Sequence, residues 1–265
     1  MLLKEKDFPW HYEPIFCITC DIDWASDDAL EMFLDIVKDY NIPLTMFLTH
    51  SSPLIVNIIN KRNIDVGIHP NFLKGSSQGS SYKEIIEYCK AILPKAILPK
   101  AICFRCHRYF DVNDITEILY NEGFLYDSNL CTFTESIDPF VHRSGIIRFP
   151  VYFEDGAYLY HNGDLDFNKA YKELFSKPGL MVINIHPMHM VLNSPNFIYS
   201  RKIKDSKSRE EWNNLSRIEL EEMQYKGRGI KDYIIDIFDY IRLNRFKVYN
   251  LKQIYEITIK SSSKI

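Results

Sequence analysis

The feature that most constrains this chain is an alternation. Short apolar, β-branched runs are separated by stretches of helical period, the pattern of βα units wound around a parallel sheet. Eight such runs predict strands at 15–23, 44–50, 65–70, 101–107, 124–129, 146–152, 180–187 and 247–251. The helices between them carry their own signals. Ser26 is placed to cap the first, Asp27 and Asp28 suit its positive end, and Leu30, Phe33, Leu34 and Val37 form one apolar face before Asn41 and Pro43 end it. Ser52 followed by Pro53 opens the next helix, and Ser81 with Glu84 makes a capping box. The expected fold class is α/β, a TIM-like barrel.

At 265 residues the chain has the length that one such barrel fills, so a single domain over 1–265 is expected. Between about 193 and 228 it turns polar and charged, with sparse apolar positions such as Trp212, Leu215, Ile218 and Leu220, and reads as a helical insertion. The following GIKDYIIDIFDYIRL has a strong helical apolar face and leads into the last strand and a closing helix. AILPKAILPKAI repeats five residues in tandem, too short a period for a solenoid, and reads as a local duplication in a loop.

A formal charge of −3 with no clustered basic stripe argues against a nucleic-acid partner, and none is expected. No export signal or membrane-spanning run is legible, which predicts a cytoplasmic protein with free thiols. Cys17/Cys20 and Cys103/Cys106 have the CxxC spacing of zinc sites. Each pair lies in a run that reads as a strand, however, where residues three apart face opposite sides and cannot share one ion. They are expected to be core residues.

Polar residues recur at the predicted strand ends: Asp21 and Asp23, His50, His69, Arg105 and His107, Asp155, then His186 and His189. In a parallel barrel those ends converge on one face, where active sites are built. Any one histidine alone reads as a hydrogen-bonded core or surface residue; the set does not. Asp21 and Asp23, two apart on one strand, share a face, and their like charges call for compensation by a divalent cation.

In order along the chain, TCDIDW, VGIHPN, FRCHRYF, FPVYFEDG and INIHPMH resemble the five motifs of the polysaccharide deacetylases, carbohydrate esterase family 4. The resemblance spans roughly 15 to 190 and implies an irregular barrel of seven or eight strands. It assigns Asp21 as general base, Asp23 and His69 as metal ligands, Arg105 as the group that orients the base, Asp155 as the residue that tunes the acid, and His186 as the acid. The family's second motif has a further histidine four residues on, and here that position is Leu73. Two protein ligands would bind a metal loosely, so a third is required. His107, two beyond Arg105, is the first candidate, with His50 and His189 as alternatives. Without such a partner role, Arg105 reads as a structural ion-pair residue.

The resemblance implies a divalent metal cofactor, zinc in the first instance, and a hydrolase that removes an N-acetyl or related acyl group from an amino sugar or polysaccharide precursor. The lack of an export signal suggests a substrate on a nucleotide or lipid carrier. Tyr109, Tyr152 and Phe153 are candidates to stack on a sugar face, with His189 and His50 nearby. Two other readings stand beside this one: an amidase acting on another C–N bond, and a non-catalytic carbohydrate-binding barrel, motivated by Leu73.

Overall fold

A computed structural model describes residues 3, 7–61, 64–93 and 102–260, without the side chains of 60 and 61. Most of the tandem AILPK repeat lies outside the described residues. Ten strands appear among those described: β1 (Pro14–Asp21), β2 (Leu44–Leu48), β3 (Ile64–Ile68), β4 (Cys103–Phe104), β5 (Tyr126–Asp127), β6 (Phe140–Val141), β7 (Ile147–Arg148), β8 (Val151–Glu154), β9 (Gly179–Ile185) and β10 (Lys247–Tyr249). Their order in the sheet is β6-β7-β5-β4-β3-β2-β1-β9-β8, with β10 on β1. Every pairing is parallel except β6 with β7.

β7 stands next to one end of that order and β8 at the other, yet only Phe149 and Pro150 separate them in the chain. The sheet therefore curls until its ends meet. The predicted strand 146–152 is thus two strands, one pairing with β5 and the other with β9. Pro150 stands at the break, where it has no N–H to give to a ladder. β6 went unpredicted because two residues carry no periodicity. It folds back on β7 through Gly145, whose φ of +100° favours glycine, and whose N–H donates to the His142 carbonyl at 2.9 Å.

Both faces of the sheet are buried, and β1 shows how the sequence manages this. Ile15 and Cys17 point into the barrel with Phe47, Cys103, Tyr126 and Val182, while Phe16, Ile18 and Cys20 point outward to the helices. Cys17 and Cys20 therefore lie on opposite sides, as do Cys103 and Cys106, and all six cysteines are free. At Gly67, on β3, a Cβ would stand 2.7 Å from both the Cys103 sulfur and the Phe47 ring, so glycine permits the close approach of β3 and β4.

The outer helices that matter for the site are α1 (Asp27–Asp39), α2 (Pro53–Lys61), α3 (Tyr82–Ala91), α4 (Asn113–Asn121), α5 (Asp155–Tyr160), α6 (Phe167–Phe175) and α7 (Pro187–Leu192). Three short helices follow within 193–228: α8 (Phe197–Asp205), α9 (Arg209–Asn213) and α10 (Arg217–Met223). Then come α11 (Ile230–Asn244) and α12 (Leu251–Lys260). Capping follows the sequence signals: the Ser26 hydroxyl accepts from the Ala29 N–H at 3.2 Å, and Ser81 and Glu84 cap α3 reciprocally. No described helix is long and apolar enough to cross a membrane.

Candidate active site

The inward face of β1 continues from Cys17 through Thr19 to Asp21, and that of β9 from Val182 to Asn184, so the polar ends of the two strands meet at the mouth of the barrel. Thr19 and Asn184 are partners in the β1–β9 register. Arg105 enters from beyond β4, fully buried, and spends its donors on fixed acceptors. Its Nη1 donates toward Asp21 Oδ1 at 3.0 Å, Thr19 Oγ1 at 3.0 Å and Asn184 Oδ1 at 2.6 Å. Its Nε and Nη2 donate to the Ser128 carbonyl and hydroxyl at 2.7 and 2.8 Å. Asn184 Nδ2 donates to the other Asp21 oxygen at 2.8 Å. Asp21 is thus buried, ionically paired and held at both oxygens, an arrangement that fixes its orientation and whose rupture would leave a buried charge unpaired.

Asp23 does not extend the strand as expected. β1 ends at Asp21, and Asp23 and Trp24 take left-handed backbone with φ of 40° and 57°. For non-glycine residues that conformation is uncommon and strained, and here it swings Asp23 over the barrel mouth. His107 likewise lies beyond its strand, in a short turn His107–Tyr109 whose Arg108 and Tyr109 are also left-handed. The His107 N–H is pinned to the Pro70 carbonyl at 2.9 Å, and its ring packs edge-on against Trp24.

Asp23, His69 and His107 converge as one group that could hold a metal ion. Asp23 Oδ1 stands 3.3 Å from His69 Nε2 and 3.1 Å from His107 Nδ1, and the two nitrogens are 3.4 Å apart. Ligand atoms on a tetrahedral zinc with bonds of about 2.0–2.1 Å are separated by about 3.3–3.4 Å, so this spacing fits an ion of that size. The donor set, one carboxylate and two imidazoles, is also what such an ion takes. Burial would raise the pKa of Asp23, but hydrogen bonds from His107 and His69 outweigh it and hold the carboxyl well below the usual range. His69 Nδ1 is buried without a hydrogen-bond partner among the described residues and faces Asp21 Oδ1 at 3.8 Å.

A second group, Asp155, His186 and His189, has different geometry. His186 Nδ1 lies 2.6 Å from Asp155 Oδ1, a direct charge-assisted hydrogen bond with no room for an ion between. The His186 N–H donates to the other Asp155 oxygen at 2.7 Å. Burial would lower the pKa of His186, but the Asp155 carboxylate, with Asp23 and Glu154 nearby, outweighs it and keeps the ring protonated well above the usual histidine range. Burial likewise opposes ionisation of Asp155, and the positive histidines His186 and His189 overcome it and hold its pKa low. His186 Nε2 points across the mouth, 4.0 Å from Asp21 Oδ2 and 4.0 Å from Asp23 Oδ2.

These groups line one cavity of about 650 Å³. Asp21, Asp23, His69, His107, Tyr109, His186 and His189 all face it, with Glu154 beside them, while Arg105 and Asp155 stand directly behind. Three expected members do not reach it. On β2 Phe47 points inward and Leu48 outward, so alternation turns Thr49 in and His50 out, where its ring bonds the Thr49 hydroxyl at 3.0 Å. Tyr152 follows the inward Val151 at an irregularity in β8 and packs outside the sheet against Phe175, its hydroxyl donating to the Leu174 carbonyl at 2.5 Å. Phe153 is also core, against Tyr158 and Tyr233.

The family model of WbmS-like polysaccharide deacetylases matches residues 18–203. The chain belongs to this family. This deacetylase is accordingly a hydrolytic enzyme. A protein of Bordetella bronchiseptica assigned to polysaccharide deacetylation in O-antigen biosynthesis shares its fold at TM-score 0.72 and 24% identity, over 85% of this chain and 90% of that one. Weaker likenesses link the deacetylase to the Bc1960 peptidoglycan N-acetylglucosamine deacetylase (TM-score 0.52, 13% identity, 91% and 90% covered). The peptidoglycan deacetylase PdaC of Bacillus subtilis is similar at TM-score 0.50 and 10% identity, with 96% and 95% covered. At such identities these likenesses speak for the curled parallel barrel. Among curated proteins none matches the deacetylase significantly.

Sequence reading missed Thr19, Asn184 and Glu154. A signal was present for two of them: Thr19 and Asn184 interrupt apolar strands two residues before Asp21 and His186, and so share their faces.

Proposed function

We propose that the enzyme is a metal-dependent N-deacetylase of an amino sugar, with a zinc ion as cofactor held by Asp23, His69 and His107, and that His107 takes the place of the histidine the family has where this chain has Leu73. The observation that carries this reading is the near-equal spacing of the three ligand atoms, 3.1, 3.3 and 3.4 Å. When bound, such an ion supplies Lewis-acid polarisation of the acyl carbonyl and water activation near neutral pH. Asp21 accepts the proton of the attacking water, because it faces the same space as Asp23 and is held in orientation by Arg105 and Asn184. His186, held protonated by Asp155, delivers a proton to the departing amine from the opposite wall. Tyr109 lines the cavity with its hydroxyl 3.3 Å from Asn184 Nδ2, and Tyr109 and His189 are assigned to substrate contact. Free thiols throughout favour the cytoplasm as its compartment, and the chain is read as one domain.

The test is metal analysis of the purified protein with acetate release from N-acetylated amino sugars. Asp21→Asn is expected to lower turnover by about 10²–10⁴-fold while keeping its metal. His107→Ala is expected to lose metal and turnover together. Full activity in either variant refutes the assignment.

A further inference from the structure

The cavity is charged oppositely at its two ends. Its inner end carries Asp21, Asp23 and Glu154, whereas its outer wall carries Arg108 from the turn after β4 and Arg201 and Lys204 from α8. Arg201 is committed to Asp205 at 2.9 Å. Arg108 and Lys204 are both exposed, and among the described residues neither has a carboxylate at ion-pair distance. Lys204 stands 5.6 Å over the ring of Trp212, which also lines the cavity. Trp212 itself is only 7% exposed, and its ring forms a fixed wall beneath the Lys204 ammonium.

Two cations at one opening, neither with a carboxylate partner among the described residues, define the chemistry that completes them: an anion with several acceptor oxygens and one charge for each cation. A neutral glycan strand leaves both cations unpaired, and a single carboxylate satisfies one. We propose that the substrate is an N-acetylated amino sugar esterified through a diphosphate, its acetamido group at the Asp23–His69–His107 end and its diphosphate against Arg108 and Lys204. The proposal rests on the deacetylase reading of the site and names the substrate class. A nucleoside diphosphate sugar and a lipid-linked diphosphate sugar share this chemistry.

Calorimetry with UDP-N-acetylglucosamine, with a short-chain prenyl diphosphate of N-acetylglucosamine and with neutral N,N′-diacetylchitobiose separates the cases. At least one diphosphate probe is expected to bind about tenfold or more tighter than chitobiose, with an advantage that shrinks as salt is raised. Which diphosphate probe binds identifies the carrier. The double variant Arg108→Ala/Lys204→Ala, both positions being at the surface, is expected to reduce that preference by about tenfold. Equal affinity for chitobiose, or a preference untouched by the double variant, overturns the proposal. Acetate release is scored separately: diphosphate binding in this pattern without acetate release refutes the catalytic assignment and leaves this one standing.

Discussion

Asn184 shows how much of the site depends on side chains that perform no chemistry. It bridges Arg105 and Asp21, accepting from the guanidinium at 2.6 Å and donating to the carboxylate at 2.8 Å. Removing it leaves a buried cation and a buried anion each short of a partner, which costs more than the hydrogen bonds themselves. Asn184→Ala is expected to lower kcat by about 10–100-fold through misorientation of Asp21, with metal content unchanged, since Asn184 touches none of the three metal-ligand candidates. Metal analysis beside steady-state kinetics checks this, and loss of metal in the variant would contradict the positioning role. His107 teaches a related lesson. Its role depends on a left-handed turn at Arg108 and Tyr109, and on a carbonyl of the neighbouring strand end that pins its backbone.

At the scale of elements, α1 is where local sequence and site geometry meet. Its N-terminus begins right after the strained Asp23–Trp24 turn, and the buried Ser26 hydroxyl fixes that junction by capping the helix. Ser26→Ala is expected to cost about 1 kcal/mol, read as a fall in Tm of roughly 2–4 °C for a chain of this size. Because Asp23 hangs from the same junction, weaker metal retention should accompany the loss, which a chelator titration measures. α8 and α9 matter in another way: with α5 they build the outer wall of the cavity, through Arg201, Lys204, Trp212 and Tyr160. α10 is tied back to α1 where the Arg217 N–H donates to Asp28 at 2.7 Å.

For the molecule as a whole, burying both faces of a curled sheet carries an electrostatic cost at Asp65. Burial pushes its carboxyl up to about 6, against the opposing pull of Lys252 and the Thr45 hydroxyl. The folded pKa is above the unfolded one, so the folded state binds more protons between roughly pH 4 and 6, and stability falls as pH rises through that window. Asp65→Asn removes the titrating group. It is expected to flatten the slope of denaturation free energy across that window and to gain on the order of 1–2 kcal/mol at pH 7 relative to pH 4. Denaturant titrations at several pH values check it; an unchanged slope in the variant would show that Asp65 does not carry the effect.

Period-two alternation and helix caps lie within a few residues of one another, so the parallel α/β architecture, the burial of the cysteines on opposite faces and the gathering of Asp21, His69, Arg105 and His186 at the strand ends were all legible in the sequence. The failures fall at strand ends and where the sheet closes. His50 lies two residues beyond the end of β2, where the alternation gives Thr49 the inward position, and Tyr152 turned outward at the irregularity in β8. The split at Pro150 needed knowledge of which strands close the sheet. Likewise, the spacing of Asp23, His69 and His107 and the opposed charges of the cavity arise from left-handed turns and from helices distant in sequence. Local sequence sets which way a side chain points along a strand; only the closing of the sheet and the packing of the 193–228 helices over its mouth decide which side chains meet.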